Sequence, residues 1–236
     1  MSVLNKFYKS LKERGPIGTI REITRRLNIT IRMLGDRRFD RRFGVDTSGI
    51  IDIKDLDIDR DSIEKRFHYE PTPEPALRFL LRALPIDHSK YVFIDFGSGK
   101  GRVLLLASEY PYKQIIGVEF SQRLHSIAET NFKTWKNPTQ KCFNLESVCM
   151  DACDFNLPNE PLILFFFTPF KTSVITKVIN NIQESLRENT QSLKILYYGS
   201  NPEFVDVLNK LDLSSKEIYA HRPFSAIKKY KGLLFN

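Results

Sequence analysis

The segment DFGSGKGR, residues 95–102, constrains the fold more than any other part of the sequence. It follows the apolar run YVFIDF, which is typical of a buried strand, and precedes GRVLLLASEY, which is typical of a helix. Glycines between a strand and a helix allow a tight turn and let the backbone approach a ligand closely. The segment therefore predicts a strand–turn–helix unit with a ligand site at the turn.

Strand-like and helix-like segments alternate from Tyr69 to the C-terminus. Further strands are predicted at QIIGVEF, LESVCM, PLILFFF and SLKILYYGS, and helices at SQRLHSIAETNF and near residues 171–186 and 202–211. Thr72 and Ser121 are predicted to cap helices, and KEIYAHR and IKKYKGLLF to close the sheet as an antiparallel pair. The pattern predicts an α/β fold: a Rossmann-like doubly wound sheet, mostly parallel, with an antiparallel C-terminal strand.

The N-terminal part of the chain is basic and helical in pattern. We expect residues 1–68 to form a helical extension and linker, and residues 69–236 to form the main domain. Gly15-Pro16 should break the helix, and Gly35 should close it. Residues 1–44 contain 12 Lys and Arg and 4 Asp and Glu, so this segment accounts for the net charge of +8. It could contact nucleic acid, an anionic membrane surface or an acidic partner, or form a solvated cap.

The composition argues against several classes of protein. No apolar run reaches the roughly 18 residues of a transmembrane helix, and the first residues lack the apolar core of a secretory signal. Cys142, Cys149 and Cys153 are too few for a disulfide framework. Because no histidine cluster accompanies them, we expect thiols and not metal ligands. These features predict a cytoplasmic protein without a metal site.

The spacing of the glycines distinguishes between cofactors. A dinucleotide fingerprint requires a third glycine at position 102, where the chain has Arg102, and its third glycine is Gly101. Gly-x-Gly-x-Gly after an acidic residue favours S-adenosylmethionine, because Asp95 can bind the ammonium of its amino-acid end. A nicotinamide-dependent oxidoreductase on a related sheet is the alternative.

Two more carboxylates follow the next predicted strands. Glu119 ends the second strand and can accept both ribose hydroxyls. Asp151 follows the third strand and can accept from the adenine amino group. Three acids at successive strand ends are more specific than any one of them. The predicted cofactor-binding residues are Thr72, Asp95, Gly97, Ser98, Gly99, Gly101, Glu119, Phe120, Asp151 and Ala152.

The assembled motifs resemble the class I methyltransferases. GSGKGR with an acid before it is similar to the subset that includes non-SET protein-lysine methyltransferases. YEPT, DFGSGKGR, GVEFSQRLHSIAETNF and DACDFNLP together resemble an uncharacterised bacterial methyltransferase group. The similarity covers about Asp40 to Pro169, including FDRRFGVDTSG. It implies that the residues at Asp95 and the three glycines line the methionine end of the cofactor.

The resemblance also suggests the catalytic residues. The fourth strand ends in Thr168-Pro169-Phe170, where related sequences tend to have Asn-Pro-Phe, and a strand-ending turn explains the segment equally well. Tyr69 precedes the first strand, where many class I enzymes fold a segment over the cofactor. We therefore expect methyl transfer to an unidentified protein or small-molecule acceptor, such as a lysine or another nitrogen. A non-catalytic regulator that binds S-adenosylmethionine is a further alternative.

Overall fold

The computed structural model describes residues 3–57, 68–167, 170–188, 192–199, 201–211, 213–221 and 229–235. The helices are α1 Val3–Phe43, α2 Glu74–Arg82, α3 Arg102–Ala107, α4 Gln122–Thr134, α5 Thr172–Glu188 and α6 Pro202–Leu208. The strands are β1 Val92–Phe96, β2 Gln114–Glu119, β3 Leu145–Cys149, β4 Leu162–Phe166, β5 Leu193–Tyr198, β6 Ser215–His221 and β7 Lys229–Phe235.

The strands form one seven-stranded sheet in the order β3-β2-β1-β4-β5-β7-β6. The first five strands pair in parallel, and β7 pairs antiparallel with both β5 and β6. The predicted Rossmann-like fold is therefore confirmed, including the closing antiparallel pair. The strand order reverses between β1 and β4, and such a reversal opens a crevice beyond the carboxyl ends of the strands.

The sheet is buried on both faces, because its central strands alternate between two apolar cores. Phe93 and Phe165 pack on the side of α2 and α3. Ile94, Phe96 and Phe166 pack on the side of α5 and α6. This burial explains why the central strands are nearly continuous apolar runs. It also holds the carboxyl ends of β1 and β4 next to each other.

The N-terminal helix ends later than its sequence predicts. Gly15 is non-helical, with φ 66° and ψ 176°, so the predicted break there is confirmed. Gly35 does not close the helix, which continues to Phe43 and is followed by Gly44 at φ 69°. The prediction was wrong because Phe39 and Phe43 are buried against Trp135, and this tertiary contact outweighs the low helix propensity of glycine.

The two predicted helix caps have different outcomes. Ser121 caps α4, and its side chain accepts a hydrogen bond from the Leu124 amide at 3.2 Å. Thr72 does not cap α2, because Pro73 is extended at ψ 123° and the helix begins one residue later. Thr72 is instead a buried residue on the candidate site described below.

Tyr69, between α1 and α2, lies beside the glycine turn. Ile51 and Tyr69 form an isolated antiparallel bridge, and Ile53–Asp55 forms a short 3₁₀ turn.

None of the described helices has the length and apolar character needed to cross a membrane. The domain boundary at residues 68 and 69 stays a prediction.

Candidate functional site

A cavity of about 300 Å³ lies at the carboxyl ends of β1 to β4. Residues 97–99 after β1 and residues 118–121 at the end of β2 form one side. Residues 68–72 form another side, together with Phe167 and Phe170 after β4. The cavity therefore occupies the crevice at the point where the strand order reverses, the usual ligand site of an open α/β sheet.

Most of the predicted site residues surround this cavity. Gly101 and Asp151 do not line it, although Met150 beside Asp151 does. Thr168 and Pro169 lie outside the described residues. The predicted residues that do line the cavity are Tyr69, Thr72, Asp95, Gly97, Ser98, Gly99, Glu119, Phe120, Ala152 and Phe170.

Two glycines of the turn are required by their surroundings. Gly99 has φ 55°, and a Cβ atom there would lie 2.4 Å from Cε2 of Tyr69. Gly101 has φ 83°, and its Cβ would lie 3.1 Å from the Ala128 methyl on α4. Both backbone conformations are ones that other residues rarely adopt. The turn can therefore pack beneath Tyr69 on one side and against α4 on the other.

Asp95 is a buried carboxylate that faces the cavity. Its exposed fraction is 2%, and it makes no side-chain hydrogen bond within the described part of the chain. Burial, and next the nearby Glu119 carboxylate, raise the pKa of Asp95 well above its usual range. A buried acid without a partner is unfavourable, so this position favours a ligand that carries a positive charge or donates a hydrogen bond.

Glu119 connects the glycine turn to the end of β2. Its Oε2 accepts a hydrogen bond from the Gly99 amide at 2.8 Å, and its Oε1 accepts from the Ser121 amide at 2.8 Å. Glu119 therefore holds the turn against the end of β2. It also lines the cavity, where a carboxylate can accept hydrogen bonds from hydroxyl groups of a ligand.

The Tyr69 side chain covers the glycine turn. Its hydroxyl donates to the Thr47 carbonyl at 2.7 Å, and its ring packs against Gly99. Burial raises the pKa of Tyr69 above its ordinary value. The phenol is therefore protonated at neutral pH and committed to a hydrogen bond, which makes it unsuitable as a general base.

Arg102 has a role that sequence reasoning missed. Its guanidinium is 2% exposed and reaches back to residues 36–48, which we call the strap. It forms an ion pair with Asp36, lies 3.6 Å from Asp40, and donates to the Thr47 hydroxyl at 2.7 Å. Asp40 in turn accepts hydrogen bonds from the Thr47 and Ser48 amides. The strap is therefore attached to the first residue of α3.

Lys100 makes a second connection to the strap. Its ammonium donates to Asp46 at 2.8 Å and to the Ser48 carbonyl at 3.0 Å. Asn131 on α4 bonds to the Asp46 backbone and to the Lys100 carbonyl. The signal in the sequence was FDRRFGVDTSG, since the resemblance to methyltransferases already included that stretch.

Comparison with solved structures identifies the fold. The structure of precorrin-6y C5,15-methyltransferase from Geobacter metallireducens superposes with a TM-score of 0.52 at 15% identity, covering 78% of this chain and 95% of that one. The chain has a class I methyltransferase fold. No protein-family model matches the sequence, and no curated protein is significantly similar to it.

Two further methyltransferase structures are similar at lower scores. An RNA methyltransferase from Salinibacter ruber, in complex with S-adenosyl-L-homocysteine, gives a TM-score of 0.47 at 16% identity, with 70% of this chain and 91% of that one covered. The ribosomal protein L11 methylase from Lactobacillus delbrueckii gives 0.47 at 15% identity, with 72% and 80% covered. The finer resemblance to one bacterial group stays a prediction.

The burial of Asp95 in this methyltransferase fold has a consequence for stability. An acid whose pKa is raised by folding destabilises the fold at pH values above its ordinary pKa, where the unfolded chain releases the proton more easily. We expect Asp95→Asn to increase the free energy of unfolding at pH 7, and the gain to shrink as the pH falls towards about 4. Urea unfolding across this pH range measures the change in the free energy of unfolding. Asp206→Asn is the control, because Asp206 is exposed. A loss of stability at pH 7 would contradict the assignment.

Loss of the Arg102 guanidinium should have the opposite effect on stability. Arg102→Met leaves two acids of the strap buried without their cation, which costs about 3–5 kcal/mol. The control is Arg26→Met, because Arg26 pairs with Glu22 while 67% exposed and such a pair contributes at most about 1 kcal/mol. Chemical denaturation compares the two variants. Equal losses of unfolding free energy in the two variants would show that the strap does not depend on the ion pairs of Arg102.

Proposed function

We propose that the chain is an S-adenosylmethionine-dependent methyltransferase that binds its cofactor in the cavity beside Asp95 and Glu119. The buried Asp95 carboxylate carries the proposal, because it faces the cavity without a partner in the described part of the protein. S-adenosylmethionine has two positive groups, an ammonium and a sulfonium, and either one offsets the cost of a buried negative charge. The methyltransferase fold supports the proposal.

The amino-acid end of the cofactor fits the side of the cavity formed by the glycine turn. Asp95 would accept hydrogen bonds from the ammonium. The Ser98 hydroxyl is buried there and has no hydrogen-bond partner among the described residues, and Thr72 brings a second hydroxyl to the same cavity. These hydroxyls would donate to the carboxylate.

The nucleoside end fits the carboxyl end of β2. Glu119 lines this end of the cavity and would accept from the ribose hydroxyls. Phe120, Leu124, Met150 and Ala152 give this part of the cavity an apolar wall suited to a purine ring. Asp151, one residue beyond Met150, lies outside the lining, and its Oδ1 accepts a hydrogen bond from the Cys153 amide at 3.0 Å.

For methyl transfer, the protein mainly has to align the acceptor with the methyl group of the cofactor. The bound cofactor supplies a methyl group that its sulfonium already activates, and holding two reactants in line can contribute about 7–11 kcal/mol. Tyr69, Phe167 and Phe170 would form the wall of the acceptor channel and exclude water. Tyr69 is no base, and Glu70 beside it forms an ion pair with Arg32. We expect a nitrogen acceptor, which needs less help from a base than a hydroxyl does. The candidate base of the lining is His68, whose Nε2 lies 3.3 Å from a Glu70 carboxylate oxygen.

Calorimetric titration with S-adenosylhomocysteine tests the proposal. We expect Asp95→Asn and Glu119→Gln each to weaken binding roughly 10- to 100-fold, because hydrogen bonds to a charged group contribute about 1.5–3 kcal/mol. Glu146→Gln is the matched control, since Glu146 lies on β3 and bonds to Gln114 outside the cavity. Unchanged affinity in both variants would refute the site. Binding of NADH with similar affinity would instead support the oxidoreductase alternative.

A further inference from the structure

Helix α1 presents an apolar surface to the solvent. Six large aliphatic side chains between residues 17 and 34 recur every three or four positions, and each is 41–68% exposed. This spacing places them on one side of the helix. At 1.5 Å per residue the row is about 26 Å long. We call it the apolar stripe, and it consists of Ile17, Ile20, Ile23, Leu27, Ile31 and Leu34.

The opposite side of the same helix contacts the rest of the protein. Arg32 forms an ion pair with Glu70 and donates to the Pro71 carbonyl at 3.1 Å. Asp36 and Asp40 are buried in the network around Arg102. The side of α1 that faces the protein therefore carries buried acids and the buried rings of Phe39 and Phe43, whereas the six aliphatic side chains of the stripe face outward.

Four exposed arginines follow the apolar stripe. Arg38 comes four residues after Leu34 and Arg41 seven residues after it, so both continue the outward side of the helix. Arg37 and Arg42 flank them, and none of the four forms an ion pair with a described residue. We call Arg37, Arg38, Arg41 and Arg42 the arginine cluster. It belongs to the segment 1–44, which accounts for the net charge of the chain.

We propose that the apolar stripe and the arginine cluster together dock the protein on the surface of an anionic phospholipid bilayer. An aliphatic row that continues into a cationic row on one helix side matches the boundary between acyl chains and negatively charged headgroups. In this docked position the apolar stripe lies at the depth of the acyl chains and the arginine cluster lies at the headgroups. The domain remains on the aqueous side, attached through Arg32 and the Arg102 network.

Two other occupants fit this surface less well. A second copy of the chain would cover the stripe, but it would also bring its own excess of positive charge against the arginine cluster. Nucleic acid would neutralise the arginines but would leave six aliphatic side chains against phosphates and sugars. An anionic bilayer offers acyl chains to the apolar stripe and negatively charged headgroups to the arginine cluster.

Vesicle flotation with the full chain tests the docking. We expect binding to vesicles of phosphatidylcholine with about one third phosphatidylglycerol, and much weaker binding to phosphatidylcholine alone. The stripe variant Ile20→Gln/Leu27→Gln/Ile31→Gln should lose at least about tenfold in partitioning. The charge variant Arg37→Gln/Arg38→Gln/Arg41→Gln should lose about 100-fold on the anionic vesicles, since each arginine contributes roughly fivefold near such a surface.

Matched controls separate docking from folding. Ile50→Gln/Phe143→Gln removes exposed apolar side chains elsewhere and should bind like the wild type, as should Lys133→Gln/Lys136→Gln for exposed charge. Unfolding midpoints of all variants should agree with the wild type. Vesicle binding that survives in the stripe variant would overturn the proposal. So would a dimer that the stripe variant abolishes without any vesicle binding, or binding to RNA alone.

Discussion

A guanidinium buried beneath the N-terminal strap holds the cavity-forming parts of the molecule together. Arg102 begins α3 directly after the glycine turn, and its partners Asp36, Asp40 and Thr47 all come from the strap. A buried cation is tolerated only when its hydrogen-bonding and charge partners are in place. The turn that lines the cavity and the end of helix α1 therefore depend on each other, although more than 50 residues separate them in sequence.

The two cationic side chains next to the glycine turn are paired with the strap. Arg102 lines the cavity together with Asp95 and Glu119, but its guanidinium, like the Lys100 ammonium, is paired with acids of the strap. Burial, and next the Glu119 carboxylate, raise the pKa of Asp95. The free protein stores an electrostatic cost at this position that a cationic ligand relieves. This is the physical reason that we favour a sulfonium cofactor over a pyrophosphate one.

The fold and much of the cavity wall were predictable because their signals are local. Alternating apolar runs predicted β1 to β7, and the glycine spacing predicted a turn in which Gly97, Gly99 and Gly101 all have positive φ. The errors came from tertiary contacts. Phe39 and Phe43 extend α1 past Gly35 by packing on Trp135. The partners of Arg102 come from a distant segment. Its position after the third glycine therefore disfavoured a dinucleotide cofactor but did not predict the connection to the strap.

A crystal structure of the full chain with S-adenosylhomocysteine tests the proposed cofactor site most directly. We expect the ligand in the cavity at the ends of β1 and β2, with its amino group hydrogen-bonded to Asp95 and its ribose hydroxyls to Glu119. The turn should keep its hydrogen bond from Gly99 to Glu119. A ligand bound elsewhere, or one whose ribose and amino group contact neither acid, would contradict the proposed roles of Asp95 and Glu119.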